Sequence, residues 1–381
     1  MRISKHVRRA LIAGTAVLAT VAGTGVAYAA AVGTSARTSP QFNGSVYAIA
    51  YHGDTVYVGG SFTSAMIDGH LVHRDRLAAF DTSSGDLLDW APEANDTVRA
   101  LAVSGGAVYA AGDFSEISGH RRDSLARLDG SSGAVGPFSH RITGIPEALT
   151  VGDGKLYVGG SISRIDSAAR SRLAAFSLYD GAIDNRWKPT ADDTVHALAF
   201  AGNRVYLGGS FHRTDGTRST LRLSAVDATT GGLDGDFRPE VPAMVHSIAV
   251  DDNGVYAAMG GQGGRAAAYT RSGRTRWTRV FDGDVQGIAV LDGTAYVGGH
   301  FDRACTTGNN DSQGDCSDGS QSRIKLAAVN GNGSLNGWAP QANGIVGVRT
   351  IVVDPVRRTV AVGGDFTTIG GQTQKRYAFF G

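Results

Sequence analysis

Residues 46–95 read VYAIAYHGDTVYVGGSFTSAMIDGHLVHRDRLAAFDTSSGDLLDWAPEAN. Three runs, VYAIA, VYVGG and LAAFD, alternate small with large apolar residues and are separated by clusters of Gly, Asp and Ser. A fourth, LLDWAP, follows the turn TSSG. The pattern predicts four short strands, because β-branched and aromatic residues suit a pleated surface while Gly, Asp and Ser supply the turns between.

The rest of the chain repeats this unit. Its second strand recurs around Tyr57, Tyr109, Tyr157, Tyr206, Tyr256 and Tyr296, and then at Val360-Ala361. A glycine pair usually follows, as at Gly59-Gly60, Gly159-Gly160, Gly208-Gly209, Gly298-Gly299 and Gly363-Gly364. The first strand recurs as VRALAV, PEALTV, VHALAF, VHSIAV, VQGIAV and VRTIVV. Seven copies at a period near 50 residues predict an all-β, seven-bladed β-propeller with four-stranded blades, occupying residues 30–381. The last copy reaches only its third strand, Tyr377–Gly381. Ser39-Pro-Gln-Phe-Asn-Gly44 resembles the fourth-strand ending Ala339-Pro-Gln-Ala-Asn-Gly344. The N-terminal strand is therefore expected to close the last blade from outside, leaving no unpaired edge.

Before the repeats, Arg2, Lys5, Arg8 and Arg9 precede an acid-free apolar run ending in Ala27-Tyr-Ala29. This is the pattern of a secretory signal peptide over residues 1–29, so the protein is expected to be secreted and extracellular, by general secretion in preference to a twin-arginine route. No later stretch is long and apolar enough to span a membrane. Removing four basic residues takes the formal charge from +1 to −3, which leaves no basic face for nucleic acid. Cys305 and Cys316 both fall in a long insertion of copy six and are expected to form a disulfide in an exported chain.

The YVGGSF endings, with LAAFD and the turn SSG, resemble secreted bacterial propellers of the delta-60-repeat type and are similar to the repeats of fungal cortical polarity markers. The turn followed by Trp90, Trp187 or Trp338 also resembles quinoprotein repeats, which pair such a turn with a docking tryptophan, and kelch repeats share the double glycine. Seven copies and the lack of an adjacent cysteine pair depart from the quinoprotein pattern. The resemblance covers residues 40–381 and implies a scaffold; it brings no catalytic motif with it.

Candidate chemistry comes from positions where the frame repeats but the side chain varies. The second residue of the inner strand reads Tyr47, Arg99, Glu147, His196, His246, Gln286 and Arg349. Ligand contact and ordinary solvation of a channel mouth both explain such polarity. The residue after the glycine pair is usually Ser, with Asp113, His300 and Asp365 as departures. His196, His246 and Glu147 are candidates for a zinc-like ion, since two imidazoles and a carboxylate suit one. Asn309, Asn310, Asp311, Asp315 and Asp318 in the insertion offer oxygens to calcium, without a recognised calcium spacing. Six copies place a basic residue before the third strand, Arg76, Arg172, Arg222, Arg265, Lys325 and Arg376, expected to pair with a neighbouring blade.

HExxH, GxSxG and P-loop signatures are missing from the sequence. The expectation is a monomeric, non-catalytic binding or scaffold module for a carbohydrate, cell-envelope polymer or protein ligand at the channel mouth. No cofactor is predicted, while calcium or another divalent metal remains open. The alternative is an extracellular hydrolase or lyase with its site at the same mouth. The opposite face, built of turns, is expected to offer little chemistry.

Overall fold

A computed structural model describes residues 32–381. The signal segment expected at 1–29 lies outside the described residues. Seven antiparallel meanders begin with the inner strands Val46–His52, Val98–Ser104, Pro146–Gly152, Val195–Ala201, Val245–Asp251, Val285–Leu291 and Val348–Asp354. Each inner strand pairs with a second strand and that with a third. In the first meander these are Thr55–Gly60 and Leu77–Asp81. We number the meanders as modules one to seven. Each inner strand packs on the next, and that of module one also packs on that of module seven.

The glycine pair explains this close stacking. A Cβ on Gly59, Gly208 or Gly298 would stand within 2.6 Å of a Cγ1 methyl in the next module, that of Val98, Val245 or Val348. The same holds at Gly363, where the methyl belongs to Val46 of module one, 2.7 Å away. The second glycine faces backbone instead: a Cβ on Gly209 would stand 2.1 Å from the Thr194 carbonyl oxygen. Real Cβ atoms do not approach so closely, so the first glycine sets inter-module spacing and the second lets the inner strand start.

The fourth strand departs from expectation. It forms a ladder only in module five, where Thr275–Val280 pairs with Arg265–Tyr269. In modules one to four and six it is reduced to an isolated bridge such as Phe80↔Leu87, in module one with one further bond from Leu88 N–H to the Ala79 carbonyl at 2.9 Å. The chain then turns away to dock its aromatic residue. The indole N–H of Trp90 donates to the Asp129 carbonyl of module two at 2.8 Å, and that of Trp187 to Asp227 of module four at 3.1 Å. Carbonyls left by the short ladder accept from arginines of the preceding loop: Arg74 to Leu88, Arg122 to Gly136 and Arg323 to Asn336. Sequence reading passed over these residues, although the repeated Arg-x-Arg or Arg-x-Lys at 74–76, 170–172 and 323–325 was the signal.

The N-terminal segment runs beside module seven in two ways. Arg37 N–H donates to the Phe379 carbonyl at 3.0 Å, the same bond that Leu88 makes to Ala79 in module one. Gln374, at the position of Arg74, donates to Ser39 Oγ at 3.0 Å. Gln41–Phe42, however, pairs with Ser64–Ile67 of module one.

Cys305 and Cys316 are bonded to each other. No helix among the described residues is long and apolar enough to cross a membrane.

Candidate functional site

All seven inner strands share an irregularity that sequence does not reveal. Pairing runs from the first residue to the third and skips the second: Val46 pairs with Gly60 and Ala48 with Gly59, leaving Tyr47 unpaired. The same shift leaves Arg99, Glu147, His196, His246, Gln286 and Arg349 out of their ladders. These are the varied polar residues. A β-bulge frees a residue from the ladder and re-aims its side chain, so the scaffold needs nothing from this side chain and lets it vary. Tyr47, Arg99, His196 and His246 line a narrow cavity of about 170 Å³ where the inner strands converge, together with Ala148, Leu149 and Thr350.

Several of these side chains are already engaged with one another. Arg99 donates to both oxygens of Asp113, at 2.8 and 2.7 Å, and this bidentate bond raises its pKa. Arg349 stacks over the Tyr47 ring at 5.1 Å. His196 Nδ1 donates to Glu147 Oε2 at 2.7 Å, and its Nε2 lies 2.9 Å from Ser210 Oγ. Asp365 Oδ1 accepts the Gly347 N–H at 2.6 Å. Gln286 is half-buried, and His300 is exposed.

His246 differs. Its Nε2 is buried with no hydrogen-bond partner, and it packs so tightly that a Cβ on Gly260 would stand 2.6 Å away. Burial lowers its pKa below the ordinary 6.5; His196 adds to that effect and Asp284 opposes it.

The metal reading brings together His196 and Glu147, with the His246 ring centre 6.4 Å from that of His196. Both nitrogens of His196 are occupied by protein partners, and among the described residues no group of three or more His, Cys, Asp and Glu is arranged to hold an ion. The acidic residues of the insertion serve its own turns. Asp311 Oδ1 accepts the N–H groups of Gln313 and Asp315, and Asp318 Oδ2 accepts from Thr307 and Asn309. The basic residues before the third strand only partly reach into a neighbouring module as expected: Arg265 donates to Asn310 of module six, but others do not. Arg76, Arg172 and Arg376 adopt positive φ and donate to carbonyls of their own modules, those of Phe62, Ser161 and Asp365.

Module five shapes the loop face. Other modules place a hairpin or a 3₁₀ turn between the second and third strands, but here Gly254–Met259 leads into Arg265–Tyr269 through Gly260–Gly264 alone. Two grooves flank this short loop. One, of about 540 Å³, is lined by Asp193, His212, Arg222, Met244 and Arg265. The other, of about 400 Å³, is lined by Asp282, Asp284, His300 and Asp302. So short a loop would by itself leave the rim beside His246 low. Instead the module-six insertion leans across it: Gln262 Nε2 donates to the Ser312 carbonyl at 3.0 Å, and Arg265 donates to Asn310 at 3.1 Å. Sequence reading missed Asp193, His212 and Asp284, because only the packing of two adjacent modules makes them neighbours.

Comparison with known proteins places the architecture. A family model described as "Domain of unknown function (DUF5122) beta-propeller" matches residues 152–186, which span most of module three. The WD40 β-propeller domain of Doa1 superposes with a TM-score of 0.57 at 11% identity, covering 91% of this chain and 97% of that one. The fold is a β-propeller. The computationally designed Ika8 protein is also similar, at 16% identity and a TM-score of 0.49, with 89% of this chain and 98% of that chain covered. No curated protein matches. At these identities the propeller likeness concerns architecture alone.

Proposed function

We propose that the protein is a secreted, monomeric, non-catalytic binding module, a seven-bladed propeller of the delta-60-repeat type closed by its N-terminal segment. Its ligand is a carbohydrate or cell-envelope polymer held on the loop face across module five. The observation that carries this reading is the pair of grooves flanking the short Gly260–Gly264 loop. Together they form an extended, shallow, polar surface with His212, Arg222 and Arg265 on one side and Asp282, Asp284 and His300 on the other. Hydroxyl-rich polymers suit such a surface, because many exposed donors and acceptors can each take one sugar hydroxyl. A rigid frame bearing variable loops is the usual host for such binding. Arg99 is taken up by Asp113, while the chain Glu147–His196–Ser210 sets an imidazole beside a hydroxyl, so the assay below also scores release of a shortened product.

The test uses purified cell-wall polysaccharide and peptidoglycan fragments. Asp193→Ala/His212→Ala and His300→Ala change exposed side chains in the two grooves and should leave the melting temperature unaltered. Each is expected to weaken binding of the parent's preferred fragment about tenfold, near 1.4 kcal/mol. Equal affinity in parent and variants would move the site off this face, and release of a shortened product would make the protein an enzyme.

A further inference from the structure

In modules one to six the second strand carries a tyrosine that packs against an aromatic from its own fourth segment. The pairs are Tyr57–Trp90, Tyr109–Phe138, Tyr157–Trp187, Tyr206–Phe237, Tyr256–Trp277 and Tyr296–Trp338, with ring centres 4.9 to 6.1 Å apart. Each pair fills the seam towards the following module, on the turn face. Module seven breaks the series twice. Its tyrosine position is Ala361, and the segment at the tryptophan position is Thr38. The glycine of the facing turn marks this equivalence. A Cβ on Gly133 would stand 3.5 Å from Trp90 and one on Gly231 3.3 Å from Trp187, whereas on Gly85 it would stand 3.4 Å from the Thr38 carbonyl oxygen.

Two missing aromatics leave space. Between modules seven and one lies a cavity of about 420 Å³, within the range of small-molecule sites, which run from roughly 300 Å³ upward. Its walls include Phe80, Phe379, Tyr51 and Tyr377, with Thr82 and Thr359 among them. The replacement is not a simple loss. Tyr51 stands where other inner strands carry Val or Phe, as at Val103, Val151 and Phe200, and Tyr377 stands where the third strands of modules one to four and six begin with Leu. The seam has exchanged filler for aromatic walls that carry hydroxyls. The Tyr51 hydroxyl sits beside those of Tyr377 and Thr359, and burial pushes its pKa up to about 12, so it stays a neutral donor and acceptor. Thr82 Oγ1 is buried with no hydrogen-bond partner. In module two the equivalent backbone carbonyl, that of Gly130, accepts from the Tyr57 hydroxyl at 2.7 Å, and that of Asp129 accepts from the Trp90 indole. In module one neither Thr82 nor Asp81 has a Tyr or Trp donor to receive.

We propose that this seam is a binding pocket for a small neutral aromatic ligand with one hydrogen-bonding edge, an indole or a phenol. The flat aromatic walls favour a ring, which gains from edge-to-face packing beyond its buried area. Thr82, which lines the cavity with its hydroxyl unpartnered and no Tyr or Trp donating to its carbonyl, favours an N–H or O–H. Of the two arginines at the rim, Arg357 is already paired with Asp54 and Asp354, and Arg37 is exposed to water with its Nε on the Gly381 carbonyl, so neither supplies a buried cation for an anionic ligand. The turn face was expected to offer little beyond backbone conformation, and this cavity is the exception to that expectation.

The experiment titrates indole and phenol, with cyclohexanol as the non-aromatic control, into the full chain by calorimetry and by ligand-observed NMR. Saturable binding of both aromatics, at least about tenfold tighter than cyclohexanol, is the expected result. Ala361→Tyr restores the residue found in the other six modules and should abolish binding while holding or raising the melting temperature. Tyr51→Phe keeps the volume and removes one hydroxyl, so it should weaken phenol several-fold even if Ala361→Tyr folds poorly. No saturable binding up to millimolar probe, or binding unchanged in both variants, would reduce the seam to a water-filled gap and overturn the proposal.

Discussion

Folding encloses the His246 imidazole between Gly260 and His196 and holds its pKa below 6.5. In the unfolded chain the ring titrates near 6.5. Above that pH both states are neutral and the group is without effect. As pH falls through 6.5 the unfolded chain takes up a proton that the folded protein refuses, so stability is lost until the depressed folded pKa is passed. We expect His246→Asn to keep more of its melting temperature than the parent between about pH 7.5 and about pH 5. Thermal melts across that range check it, and parallel curves would mean that the ring is hydrated in solution. The ring of varied residues was legible in the sequence because the scaffold repeats and they do not. Their bulged backbone was not legible, nor was the pairing of His196 with Glu147. That contact joins residues 49 apart, and it depends on how closely two inner strands stack.

At the scale of the element, the docking aromatics join modules more firmly than the abbreviated fourth strands do. Trp187 is fully buried, its ring centre is 5.0 Å from that of Tyr157, and its N–H bonds to the Asp227 carbonyl of the next module. Trp187→Ala should cost about 3–5 kcal/mol, the usual loss for a buried large aromatic. Trp187→Phe should cost only about 1 kcal/mol, near the net worth of one hydrogen bond, because Phe138 and Phe237 already serve modules two and four. Denaturant melts of the two variants check the ratio, and equal losses would assign the effect to the hydrogen bond instead of the packing. The sequence displayed the tryptophans and the strands before them. It did not display how short the fourth strand is, because LLDWAP has strand composition throughout, and the docking of Trp90 is what draws the chain off the ladder after a single bridge.

At the scale of the whole molecule, the question is how a chain of repeats avoids an open edge. Module seven contributes three strands, and the N-terminal segment runs beside the third of them, with Arg37 bonded to Phe379 and Gln374 to Ser39. The likeness of residues 39–44 to 339–344 pointed to a segment beside module seven, but the pairing of Gln41–Phe42 with the hairpin of module one was not legible, since nothing in those two residues marks it. The path also places Gly33 beside Gly381, with a Cβ on Gly33 only 3.7 Å from the Gly381 carbonyl oxygen. That spacing matches a third strand about to turn into a fourth, as Asp81–Gly85 does in module one. A circular permutant that starts at Gly106, joins Gly381 to Gly33 through a short Gly-Ser turn and ends at Gly105 should therefore fold with a melting temperature close to the parent's. Gly105 and Gly106 sit at an exposed turn with positive φ, where opening the chain removes no ladder bond. A chain lacking residues 1–44 should instead lose several degrees and show faster amide exchange along Tyr377–Phe380, whose outer edge it exposes. If the truncated chain matches the parent in both measurements, or the permutant fails to fold while its turn is varied, the two ends do not share a blade.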